Sequence, residues 1–177
     1  MATTGPDPDM AANDSLADRL AIVDVVVQYA TGVDRRDWQL YRACFTDPCE
    51  FDFSSWSGQP ATVMPADDWV EKVRGTNGNF DTTQHLSTNH IVTFARPNEA
   101  TCVSYMHAQH WFSAQRLTEL GEPNGDEPRW CTLGGYYTNS LIRTSDGWRI
   151  RRCQLDVTWI TGDPSIFEIA RSLGDQG

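Results

Sequence analysis

Positive charge is scarce in this chain: 14 Lys and Arg stand against 24 Asp and Glu, a net charge of −10. No basic stripe is left to neutralise phosphates, which argues against a nucleic-acid partner, and an acidic surface disfavours anionic membranes. Long apolar runs are missing too, and none approaches the ~20 residues of a membrane span. The first residues carry neither the basic segment nor the apolar stretch of a signal peptide. The five cysteines, Cys44, Cys49, Cys102, Cys131 and Cys153, are odd in number and lack C-x-x-C spacing. They read as buried thiols in a reducing cytoplasm rather than as a disulfide framework or a zinc cluster. There is no H-x-H or H-E-x-x-H pair, no Gly-rich phosphate loop and no dinucleotide fingerprint. Whatever chemistry the chain performs is therefore expected to need no metal and no cofactor.

What is present suits a single globular domain: 177 residues, 40% hydrophobic and 11% aromatic, with 7 tryptophans to line a core or a cavity. Residues 1–13, rich in Pro, Asp and small side chains, read as a disordered tail, and 14–173 as the domain. Leu16, Leu20, Val23, Val27 and Ala30 recur at helical spacing and predict an amphipathic helix over 15–31, capped by Ser15. Helices are further expected at 37–46, 64–73 and 164–172. A short strand is expected at 50–53, and long strands at 84–95, 100–115, 129–144 and 147–160. Helices first and antiparallel strands after them make an α+β plan. A curved sheet wrapped on a helical layer forms a cone, whose open mouth is the natural place for a pocket.

Two segments carry chemistry. Gly32-Val33-Asp34-Arg35-Arg36-Asp37-Trp38 closes the first helix and offers a carboxylate. Gln84-His85-Leu86-Ser87-Thr88-Asn89-His90 offers an imidazole at the start of a strand. An Asp that accepts the Nδ1–H of a His fixes its tautomer and leaves Nε2 free to take a proton. Each residue also has an ordinary reading. Asp34 would pair with Arg35 or Arg36 at the helix end, and His85 would bond to backbone. In the later strands, period-two alternation sends His107 and His110 to opposite faces, and His110 shares its face with Met106, Ala108 and Phe112. The same alternation puts Asn89 with His85 and turns His90 away.

With Asp34, His85, Asn89 and the strand Gly134-Gly135-Tyr136-Tyr137-Thr138-Asn139 in this order, the chain resembles the NTF2-like α+β cone superfamily. Within it, the scytalone dehydratase-like, SnoaL-like branch is the most similar; that branch includes a hexachlorocyclohexane dehydrochlorinase and a bile-acid dehydratase. The resemblance runs from about Ser15 to Arg171. It implies a cofactor-free lyase acting on a small cyclic or polycyclic substrate, with an isomerase, a cyclase or a non-catalytic ligand-binding subunit as the alternatives. It assigns Asp34 and His85 as the dyad, with Tyr29, Arg143 and His110 assisting the leaving group or a carbonyl. Val33 and Phe53 stand where scytalone dehydratase has tyrosines, so scytalone itself is not the expected substrate. Phe53, Trp56, Trp69, Asn89, Phe112 and Trp159 are the expected substrate-binding residues. A homo-oligomer, most simply a trimer, is expected from the resemblance and from a sheet apolar on both faces.

Overall fold

A computed structural model describes residues 8–174. The chain runs α1 (Pro8–Arg35), α2 (Trp38–Arg42), β1 (Phe45–Asp52), α3 (Ser54–Ser57), β2 (Thr62–Met64) and α4 (Ala66–Asn77). It continues β3 (Thr82–Arg96), β4 (Glu99–Phe112), α5 (Ala114–Glu119), β5 (Arg129–Thr144), β6 (Gly147–Gly162) and α6 (Ile166–Gly174). The strands form one curved sheet in the order β2-β1-β6-β5-β4-β3, antiparallel except where β1 lies parallel to β6. Among the described residues six strands replace the five expected: β2 was not foreseen, and β1 is longer than foreseen. The expected tail lies outside the described residues up to position 7. From Pro8 the chain is already helical, since proline fits a first helical turn without loss of a hydrogen bond.

Helix α1 packs along the concave face, but on a different stripe from the one read in the sequence. Ile22, Val25, Val26, Tyr29, Ala30 and Val33 are buried, whereas Leu16, Leu20 and Val27 are exposed. Both stripes have helical spacing; the one carrying Tyr29 meets the aromatic base formed by Tyr41, Phe45 and Tyr137. Burying side chains of this size contributes about 1.5–3 kcal/mol each. Two short helices were also missed. Asp52 ties the Ser54 hydroxyl at 2.7 Å as α3 begins, and Ser113 caps α5, accepting from Arg116 N at 3.2 Å.

In β4 the alternation is regular: Cys102, Ser104, Met106, Ala108, His110 and Phe112 point inward. Of the register shifts elsewhere, two bear on the site. Between Thr88 and Ile91, β3 spends three steps where β4 spends two, and Asn89 absorbs the extra residue at φ +54°. Between Gly134 and Gly135, β6 gains one residue at Thr158. The convex face is left with exposed Leu86, Tyr105, Tyr136 and Trp159. Among the described residues no helix is long and apolar enough to cross a membrane.

Candidate active site

The end of α1 is built to present Asp34. Arg36 adopts φ +58° and stops the helix, and Asp37 then caps α2 through Leu40 N at 2.9 Å. Both oxygens of Asp34 are held. Oδ1 accepts from the Thr83 hydroxyl at 2.9 Å and lies 2.6 Å from His85 Nδ1, while Oδ2 accepts from the His85 backbone N–H at 2.7 Å. Behind them, the Arg36 guanidinium donates to Thr83 Oγ1 at 2.9 Å and to the carbonyls of Val33 and Phe80 at 3.0 and 3.1 Å. Arg36 thereby fixes the hydroxyl that fixes the carboxylate. Neither Arg36 nor Thr83 stood out in the sequence. Arg36 was read there only as an ion-pair partner, and a guanidinium bonded to carbonyls leaves no spacing signal.

With Nδ1 committed to Asp34, the free nitrogen of His85 is Nε2, and the ring lines a cavity of about 210 Å³. The His85 side chain is 9% exposed and that of Asp34 20%. Burial alone pushes the Asp34 carboxyl up. The hydrogen bond and charge of His85, with the Thr83 bond, outweigh it and hold the group below its ordinary 3.8.

His110 also lines the cavity, its ring 5.3 Å from that of His85. Its Nε2 lies 3.0 Å from Asn77 Oδ1, and its buried Nδ1 has no partner among the described residues. Burial, and then the charge of His85, hold it well below 6.5, so it is neutral at neutral pH. Tyr29, Tyr41 and Tyr137 meet edge to face at the cavity base, the first pair 5.0 Å apart. Trp69 Nε1 donates to Tyr41 Oη at 2.8 Å. Burial raises all three phenols, so each keeps its proton as a donor. Tyr41 and Tyr137 were read only as members of regular elements, because a shared focus of three distant tyrosines is invisible in one dimension.

Phe53, Trp56 and Trp69 line the cavity as expected, with Trp69 stacked on Phe51 at 4.1 Å. Four expected site residues stand elsewhere. Arg143 lies at the far end of β5, ion-paired with Asp18 and 5.1 Å over the Trp148 ring. Phe112 is fully buried beneath His110, against Phe80 at 5.0 Å, so it supports the wall without reaching the cavity. The β3 bulge turns Asn89 out to solvent. It brings His90 back to the side of His85, where His90 Nε2 lies 3.2 Å from the Ser87 hydroxyl. The β6 bulge does the same to Trp159, which lies over Gly134 on the convex face, 5.8 Å from His107. Among the described residues no three His, Cys, Asp or Glu side chains come together as a metal-ligand set.

These titrations give a stability profile. His110 is protonated more readily in the unfolded chain, so its contribution is full above pH 6.5 and is lost as pH falls below it; His90 is shifted the same way by burial. Asp34 adds a second loss below its ordinary 3.8. Thermal unfolding followed against pH should show both limbs, and His110→Gln should flatten the first.

A SnoaL-like domain matches residues 14–154. Among solved structures, the Kfla4162 protein of Kribbella flavida is 30% identical, with TM-score 0.76 over 89% of this chain and 99% of its own. A Novosphingobium aromaticivorans protein with a provisional assignment as scytalone dehydratase is 20% identical, TM-score 0.69, over 86% and 91%. The hexachlorocyclohexane dehydrochlorinase of Novosphingobium barchaimii is 17% identical, TM-score 0.66, over 86% and 94%. At such identities the last two share the fold alone.

Proposed function

We propose that this chain, which belongs to the SnoaL-like domain family and has its α+β cone fold, is a cofactor-free lyase that eliminates water from a small cyclic substrate. The observation that carries the reading is the 2.6 Å contact of His85 Nδ1 with Asp34 Oδ1 at the wall of an aromatic cavity, with Nε2 uncommitted. His85 Nε2 takes a proton from carbon, and the C–H pair becomes the new C=C bond. The C–O bond on the neighbouring carbon breaks, and the departing hydroxide takes a proton from Tyr29 and leaves as water. Product release returns the His85 proton to the phenolate through solvent. Asp34 stabilises the imidazolium in between, and the aromatic walls keep bulk water from solvating the base.

The position of Arg143 bears on the leaving group. With that cation ion-paired outside the cavity, its assisting role falls away, and a group that leaves by being protonated suits the tyrosines better than a halide does. The neutral His110 ring serves as a polar wall rather than as an acid. An isomerase with the same dyad differs only in having nothing to expel.

Incubation with cyclic β-hydroxyketones in heavy water separates the readings by mass spectrometry. Loss of one water supports the lyase. A moved double bond in the corresponding unsaturated ketone, with no loss of water, supports the isomerase, and neither water loss nor deuterium uptake at carbon above an enzyme-free control supports a binding subunit.

The exposed Leu86, Tyr105, Tyr136 and Trp159 of the convex face support a homo-oligomer, most simply a trimer, with this face at its centre. Sedimentation at the mass of one chain at micromolar concentration would overturn this assembly. The five buried, unpaired cysteines favour a cytoplasmic setting.

A further inference from the structure

Lys72 is the only lysine in the chain, and it stands at the mouth of the cavity that holds His85. Arg171, from α6, lines the same mouth. The helices that bring them are closely joined: a Cβ on Gly174 would meet the Gly75 carbonyl at 2.3 Å, and Asn79 Nδ2 donates to the carbonyls of both Gly75 and Ala170, at 2.7 and 2.9 Å. The Lys72 ammonium lies 5.9 Å from the Trp69 ring centroid, over one wall of the cavity. Asp68 and Glu168 sit about one turn upstream on the same helices. Neither Lys72 nor Arg171 forms an ion pair among the described residues. Among the described residues no Asp or Glu lines the cavity, and Asp34 opens instead on a separate groove beside Gln84 and Trp111.

A chain of net charge −10 thus places two cations, without carboxylate partners among the described residues, around the mouth of an otherwise neutral cavity. We infer that the substrate carries an oxyanion, a carboxylate or a phosphate ester, at the end of its apolar body away from the carbon that His85 deprotonates. Lys72 and Arg171 hold that group at the mouth. Elsewhere the acidic surface repels such a ligand, and low-dielectric aromatic walls focus the attraction on this one opening. At the rim the anion keeps part of its hydration, so pairing does not require the full cost of desolvating a charge. The deprotonated end rests on the lyase reading, whereas anion capture at the mouth is a matter of binding alone.

Naphthol, naphthoate and naphthyl phosphate, substituted at the same ring carbon, share one apolar body and differ in charge. Their affinities are read by calorimetry or by quenching of tryptophan fluorescence at low and high salt. At low salt at least one of the two anions should bind about tenfold tighter than naphthol. The stronger of the two identifies the source of the oxyanion. The preference should shrink with added salt. It should vanish in Lys72→Gln/Arg171→Gln, with naphthol affinity unchanged, and persist in His85→Ala. Equal affinity for neutral and anionic probes, or a preference that survives the double substitution, overturns the inference. Loss of turnover in His85→Ala tests the dyad separately, so the two ideas fail independently.

Discussion

His85→Ala should lower turnover on the true substrate by a factor of about a hundred or more while leaving the fold intact. Among the described residues no neighbour can replace the lost base. His110, the nearest imidazole, is neutral but has its Nε2 engaged by Asn77, and its Nδ1 is buried. The three phenols keep their protons. Asp34→Asn preserves shape and removes the charge that stabilises the imidazolium, a change that costs about 10⁴-fold in a well-studied Asp–His pair. Thr83→Val deletes one of three contacts to the carboxylate and breaks the link to Arg36, so a milder loss is expected, about tenfold. It should also move the acidic limb of the rate profile upward, because the Thr83 bond is one of those holding Asp34 low. Full activity in His85→Ala, with an unchanged unfolding temperature, would end the case for proton abstraction by this residue.

The largest loss of stability is expected at a glycine. A Cβ on Gly135 would stand 1.9 Å from the carbonyl oxygen of Asp156 and 3.0 Å from Val157 Cα, both backbone atoms of the neighbouring strand. Backbone in mid-sheet cannot swing aside, so Gly135→Ala should cost about 3 kcal/mol or more. For a chain of this length that lowers the unfolding temperature by roughly 6–12 °C. Gly134→Ala is the control: the three atoms nearest its Cβ all belong to the indole of Trp159, the first also at 1.9 Å. That side chain is half exposed and has room to move, so the loss should be much smaller. Equal losses in a calorimetric scan would mean that the sheet relaxes where the contacts say it does not.

The meeting of Asp34 and His85 was legible because each sits in a local setting with its own signal, a helix end and a strand start. The fold class was legible for the same reason, since long strands and amphipathic helices repeat their pattern many times. What escaped depended on single residues or on depth. Helix α1 carries two apolar stripes, and only the sheet decides that the one with Ile22, Val26 and Tyr29 is buried. Asn89 and Trp159 were assigned to the cavity by counting in twos, and one bulged residue before or at each position reversed the count. Arg143 was drawn into the site by its place in the family pattern, yet Asp18 and Trp148 hold it at the far end of the sheet. Lys72 and Arg171 lie on separate helices with no shared motif, and their common cavity appears only in three dimensions.

The bulge in β3 also bears on which changes of length the gene can absorb. Alternation holds from Thr83 to Ser87 before Asn89 and from His90 to Phe94 after it, so loss of that one codon would leave Ser87, His90 and Val92 facing inward as before. The strand would lose its local bend and extra twist, not its core. Loss of a codon four places later, at Thr93, would turn Phe94 outward and bring Ala95 to the core side in its place. Tolerance to deletion in this strand therefore changes completely within four residues, and Thr158 marks the matching permissive position in β6.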